Sequence, residues 1–248
     1  MAAPRIATGK TRQRQAYALL KGIMATAERD GLIGKNPCQI QGAGQVKTSE
    51  RPLISLADFA RLVDAHPLDL RPVLYAAFGA HLRLGEVVGL QRRDFDVAAG
   101  TLAVKEQVIY SRAAGEVRTQ TKSDSTRTVD LPSFTVDALA EYLETVPKAL
   151  PAAPLFVRAD GRALTRAQVQ HAWNKAREVV GLPQYHFHDI RHSGLTLSAQ
   201  TGATVRELMQ RAGHSTSAAS LKYQHVAQER GKEIAGGMDV VMRGLNRA

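Results

Sequence analysis

Cys38 is the only cysteine among the 248 residues, so the chain holds neither a pair for a disulfide nor a cysteine set for zinc. It reads as a small buried side chain beside a turn. No apolar run reaches the roughly 18 residues of a membrane span, and the first residues have no apolar stretch of secretory type. A cytoplasmic protein without a membrane partner is expected. No GxxxxGK[ST] phosphate loop is present and no acidic cluster suits Mg²⁺, so the reading includes no cofactor and no metal. Ser193 sits in no GxSxG elbow, which argues against a serine hydrolase. Internal repeats and low-complexity tracts are also missing.

What remains is a chain with 44% hydrophobic residues, enough to bury a core as one large domain or one domain plus a small appendage. Lys and Arg outnumber Asp and Glu by 33 to 23, and the net charge of +10 suits a polyanionic partner such as nucleic acid. The first 51 residues hold nine cations against Glu28, Asp30 and Glu50. Arg12, Arg14, Lys21, Lys47 and Arg51 are therefore candidate phosphate contacts, with a solvated basic face as the alternative.

Residues 11–30 place Tyr17, Leu20, Ile23, Met24 and Ala27 at helical spacing, and Gly31, Gly34 and Pro37 end that helix. "QGAGQVKTSER" then reads as a basic linker, with a domain boundary near residue 48. Ser55 caps a second helix, and residues 70–90 hold a third apolar stretch. "TLAVKEQVIY", "GEVRTQTK" and "TRTVDL" read as three antiparallel strands within 101–131. Helical patterns resume at 134–146 and 165–180, then in short pieces from 189 to about 243. The fold class is mainly α with a small antiparallel three-stranded sheet, an α+β arrangement.

"HFHDIRHSG" concentrates the chemistry. His188 and Arg191 stand three apart at a helix start and share a face, so an imidazole and a five-donor guanidinium can meet one anion. A metal reading of His186, His188 and His192 lacks a carboxylate or cysteine to complete a typical set. Satisfied histidines at a helix start are the plain alternative. Further on come Gly213-His214 and, nine residues later, Tyr223.

HxxRH, a Gly-His dipeptide and a tyrosine nine residues beyond it resemble the C-terminal signature of tyrosine recombinases of the phage-integrase type. "GAHLRLGEVVGL" resembles the family's first arginine motif and supplies Arg83 with Glu86. "TKSDSTRTVDLP" resembles the hairpin bearing the family lysine and supplies Lys122. The resemblance spans about residues 50–225, with Arg83, Lys122, His188, Arg191, His214 and Tyr223 in family order. The chemistry of phosphodiester cleavage suits this set: a nucleophile, charge neutralisation on the non-bridging oxygens and a proton for the leaving oxygen. Tyr223 is the candidate nucleophile, and Arg83 and Arg191 clamp the phosphate. His188 accepts the tyrosine proton or holds the phosphate, and His214 donates to a non-bridging oxygen. Lys122, on a hairpin turn, protonates the leaving 5′ oxygen. Glu86 either orients Arg83 or pairs with a surface cation.

The resemblance implies a covalent 3′-phosphotyrosine, formed without ATP or metal. It further implies double-stranded DNA attachment sites as partners, and a homotetramer on two synapsed duplexes built from protein that is monomeric when free. A DNA-bending protein and a directionality factor are possible further partners, and the setting is the host cytoplasm at the nucleoid. Residues 1–47 are expected to be a partial core-binding segment and linker. Residues 48–248 are the catalytic domain, with a tail helix from about 226 that docks in trans or packs in cis. Two departures, "AHLR" for a Thr-Gly-Leu-Arg-like approach and "RAGH" for Leu-Gly-His, leave the key side chains in place. Among rivals, a type IB topoisomerase uses nearly the same residues, but small size and short motif spacing argue against it. A host recombinase resolving chromosome dimers is the alternative within the family, whereas "DGLIGKNP" leans toward phage or prophage integration. A DNA-binding protein without activity leaves the six-residue set unexplained.

Overall fold

A computed structural model of the chain describes residues 9–43, 51–121, 126–158 and 160–213. The chain divides into two units, Met1–Arg51 and Pro52–Ala248. The described residues have no helix long and apolar enough to cross a membrane.

The first unit contains helix α1, Lys10–Arg29. Gly31, at φ 73°, adopts the left-handed conformation that ends it, as the glycine pattern anticipates. The returning segment is fastened to α1 by polar bonds: Asn36 donates to the Lys21 carbonyl (3.1 Å), and Tyr17 Oη accepts from Ile40 N (2.7 Å). Asn36 Oδ1 also accepts from Cys38 N (2.8 Å), and Cys38 is buried beside this turn, as its reading requires. The expected apolar stripe is only half realised, because Tyr17, Met24 and Ala27 are half-buried while Leu20 and Ile23 are exposed.

In the second unit Ser55 caps α2, Leu56–Asp64, by accepting from Asp58 N (3.0 Å). Pro72 opens the first turn of α3, Arg71–Gly79, whose side chains Val73, Leu74, Ala76, Ala77 and Phe78 are all buried. A helix apolar on nearly every side sits at the centre of a core. Around it pack α5, Ser133–Thr145, and α7, Phe187–Gln200, with α6, Arg166–Val179, contributing the fully buried Trp173. Short helix α4, Leu84–Gly89, and α8, Val205–Ala212, complete the described α-helices.

A three-stranded antiparallel sheet is present, but its membership differs from expectation. Strand β2, Thr101–Val104, lies between β1, Phe95–Asp96, and β5, Arg127–Asp130. Strands β3, Glu106–Ser111, and β4, Gly115–Gln120, form a separate hairpin. The stretch 101–110 was expected to be one strand; it changes partner at Lys105, with β2 pairing β5 and β3 pairing β4. The hairpin lies on α4, where a Cβ on Gly85 would come within 2.6 Å of the Val108 carbonyl and one on Gly89 within 2.8 Å of Gln107 Cα. Only glycine allows this approach. The tail helix expected from about 226 and most of the linker lie outside the described residues.

Candidate active site

Arg83 is the N-cap of α4, with an extended backbone that turns its N–H toward the first helical turn. Glu86, three residues on, accepts that N–H at Oε2 (2.9 Å) and the Arg83 guanidinium at Oε1 (2.8 Å). One carboxylate therefore caps the helix and fixes the side chain. Glu86 is 1% exposed, so it is no partner for a surface cation. It also binds Arg127 on β5, through Nη2–Oε2 (2.9 Å) and Nη1–Oε1 (3.3 Å), and lies 3.8 Å from Arg191 Nη1. Burial pushes the Glu86 carboxyl up. The bonds and charge of Arg127, the Arg83 N–H and the charge of Arg191 outweigh it and hold the group below the usual carboxylate range.

Arg191 comes from α7, whose N-terminus is set by Asp189 Oδ2 accepting from His186 N (2.7 Å). Its guanidinium donates to the His81 carbonyl and, at 2.5 Å, to the Ala212 carbonyl. His81 holds φ 54°, a left-handed conformation unusual outside glycine. Its Nδ1 donates to the Phe78 carbonyl (2.8 Å), leaving Nε2 to accept from Arg211 Nε (3.2 Å) and Ser198 Oγ (3.1 Å). Burial and the neighbouring charges of Arg211 and Arg191 lower its pKa to about 3, so the ring is neutral. Helix α7 reaches this close because Gly194 faces the turn: a Cβ there would lie 2.4 Å from the Phe78 carbonyl.

Three successive carbonyls at the end of α8 each receive a different arginine. Arg127 Nε donates to Arg211 O (2.8 Å), Arg191 Nη2 to Ala212 O (2.5 Å) and Arg83 Nη2 to Gly213 O (3.4 Å). The last carbonyls of a helix lack intrahelical partners and carry the negative end of its dipole, so cations are favoured there. Gly213, at φ 60°, closes the helix, and His214 follows it directly in sequence. Glu86 can neutralise one of the three guanidiniums it touches, which leaves a positive surplus suited to an anion.

The structure thus brings Arg83, Glu86 and Arg191 together. His188 lies one turn before Arg191 on α7 and is exposed, whereas Arg191 is buried. Lys122, His214 and Tyr223 lie outside the described residues. His186, His188 and His192 form no cluster able to hold a metal, and none exists among the described residues. Ser193 Oγ is buried and accepts from Ile54 N (2.8 Å), which is a structural tie. Of the basic candidates in the first unit, Arg12, Lys21 and Arg51 are exposed and Arg14 half-buried, while Lys47 is not described. Arg14 and Lys21 are seven apart and share a face of α1; Arg12, two from Arg14, lies nearly opposite.

Arg127, Arg211 and His81 are absent from the sequence reading. A signal for Arg127 was available: strand alternation puts it in phase with buried Val129, on the inner side of β5. An arginine at an inward strand position needs an anionic partner. No comparable local pattern marks His81 or Arg211, whose side chains meet each other across 130 residues.

A family profile described as the phage integrase family matches residues 50–230. A putative prophage phiRv2 integrase of Mycobacterium tuberculosis is 34% identical over 229 residues, covering 91% of this chain and 61% of its own length. The integrase of Mycobacterium phage D29 is 31% identical, covering 92% and 62%. The chain thus spans about three fifths of the length of these curated relatives. A tyrosine recombinase XerC of Pelobacter propionicus is 28% identical, covering 91% and 72%. Among solved structures, the Tn1549 transposon integrase in complex with a circular intermediate DNA superposes with a TM-score of 0.72 at 16% identity, over 90% of this chain and 82% of that one. At that identity the likeness speaks for the fold.

Proposed function

Because the chain belongs to the phage integrase family, we propose that it is a site-specific DNA recombinase, cutting and rejoining DNA through a 3′-phosphotyrosine on Tyr223. The observation that carries this reading is the convergence of Arg83 and Arg191 on Glu86 and on the end of α8. Two guanidiniums from different helices, held by one buried carboxylate, form a preorganised receptor for the charge that develops on a phosphodiester. His188 stands on the same helix as Arg191, and His214 is the residue after the carbonyls that the arginines hold.

In this mechanism Tyr223 Oη attacks the scissile phosphorus and gives its proton to His188. Arg83, Arg191 and His214 stabilise the non-bridging oxygens, and Lys122 protonates the departing 5′ oxygen. The bond energy stays in the phosphotyrosine, and a 5′ hydroxyl from a second duplex reverses the step. Neither ATP nor a metal ion takes part. Phage or prophage integration is favoured over chromosome-dimer resolution because identity reaches 34% to the prophage phiRv2 integrase, against 28% to 30% for the XerC recombinases. The active assembly is a tetramer across two synapsed attachment sites in the host cytoplasm, at the nucleoid, assembled from monomers with a DNA-bending protein and a directionality factor. The unit Met1–Arg51 contributes part of a core-binding clamp.

The test is incubation of the protein with a pool of nicked suicide duplexes drawn from the source genome, in the presence of EDTA, followed by a denaturing gel. A covalent protein–DNA band from the wild type and none from Tyr223→Phe is expected. A band that persists in Tyr223→Phe would place the nucleophile elsewhere, and no band from either would count against recombinase chemistry.

A further inference from the structure

We propose that Arg127 is a positioning residue for strand cleavage, acting through Glu86 on Arg83 and Arg191 and through the Arg211 carbonyl on the end of α8. This rests on the recombinase reading of those arginines. All three guanidinium nitrogens of Arg127 are committed to Glu86 and the Arg211 carbonyl, so it acts through these neighbours rather than on DNA. Its fork engages both oxygens of Glu86, at 2.9 and 3.3 Å, and a bidentate contact fixes the plane of the carboxylate as well as its position. With that plane fixed, Oε1 is directed at Arg83 Nη1 and Oε2 at the Arg83 backbone N–H, with Arg191 beside it. Arg127 thus sets the orientation of a group that orients the clamp.

Charge gives a second reason. Arg83 alone would neutralise Glu86, and an added buried cation is costly where stability is the sole concern. Arg127 takes up much of the carboxylate's charge, so Arg83 and Arg191 remain cationic toward an incoming phosphate. Its third donor, Nε, holds the Arg211 carbonyl at 2.8 Å. That carbonyl is the first of the three whose successors bind Arg191 and Arg83. One side chain on β5 therefore keeps the clamp and the segment leading to His214 in register. It stands five residues after Lys122.

The experiment compares wild type, Arg127→Lys, Arg83→Lys and the double variant, using the suicide duplex that the wild type captures most efficiently. Affinity for that duplex and the single-turnover rate of adduct formation are both measured. Lysine keeps the charge without the fork, so Arg127→Lys should bind DNA within about threefold of wild type but cleave roughly 10–100-fold more slowly. The double variant should cleave no more slowly than Arg83→Lys alone, because both changes disable one unit. A merely structural role would give losses that multiply. Arg127→Ala adds a further arm: millimolar guanidinium ion in the buffer should restore part of its rate. Cleavage by Arg127→Lys at the wild-type rate, or multiplicative losses, would overturn the inference while leaving the recombinase reading intact. No adduct from the wild type would overturn both.

Discussion

Arginines of the two units stand in opposite surroundings. On α1, Arg12 is exposed and Arg14 half-buried, on nearly opposite faces of a helix whose Leu20 and Ile23 are also exposed. In the second unit Arg127 and Arg191 are 4% and 2% exposed, and their donors meet a buried carboxylate and the carbonyls that end α8. Solvated guanidiniums act through long-range charge, which salt screens and which tolerates imprecise geometry. Buried ones act through fixed hydrogen bonds, where a small displacement removes the effect. The sequence composition counts both kinds alike.

Removing Glu86 should separate the regions most sharply. Glu86→Ala leaves three buried or half-buried guanidiniums without their shared anion, and the second unit should lose roughly 3–5 kcal/mol of stability. Urea unfolding measures this, and a loss below about 1 kcal/mol would mean that the cluster is held by something other than Glu86. Glu86→Gln, which keeps an acceptor, should cost less.

His81 supplies a gentler perturbation of the same cluster. Its folded pKa of about 3 lies below the value near 6.5 expected when unfolded, so between those values the unfolded chain alone binds the proton. Its contribution to stability is intact above pH 6.5 and falls as the pH drops toward 3, because an imidazolium would face Arg211 on α8, Arg191 on α7 and Arg127 on β5 and would lose its acceptor nitrogen. The loss between pH 8 and pH 5 should be about 2 kcal/mol larger in wild type than in His81→Asn, which does not titrate and tolerates the left-handed backbone. Equal pH slopes in the two proteins would show that the ring is not held neutral. His66, whose pKa burial also lowers, is common to both and cancels in the comparison.

The smallest effects belong to α1. If Arg14 and Lys21 track one phosphate backbone from their shared face, each alanine substitution should weaken DNA binding evenly across sequences and flatten the salt dependence of log affinity by about one unit. The cleavage rate of bound DNA should not change. An unchanged salt slope would return these residues to the category of solvated surface.

Much of this contrast was legible in the sequence wherever the information was local. Ser55 marks a helix start, Gly31 an end, and the three-residue spacing Arg83–Glu86 puts partners on one face. Local pattern failed where pairing decides. Alternation runs through Lys105 without a break, and the change from β5 to β4 as partner leaves no trace in residues 101–110. The same limit hid Arg211 and His81 from the site, since their side chains meet across 130 positions, whereas the inward phase of Arg127 on β5 was there to be read. Shared spacing likewise did not foretell that His188 is exposed and Arg191 buried, because the neighbours of α7 set that difference.

We propose that Arg83 and Arg191 act on the transition state of strand cleavage rather than hold DNA. It is tested most directly by measuring duplex affinity and single-turnover adduct formation for Arg83→Lys and Arg191→Lys beside the wild type. Affinity within about threefold of wild type and cleavage at least 100-fold slower are expected, since lysine keeps the charge and loses the two-donor geometry. Cleavage at the wild-type rate, or affinity and cleavage falling together by the same factor, would contradict it.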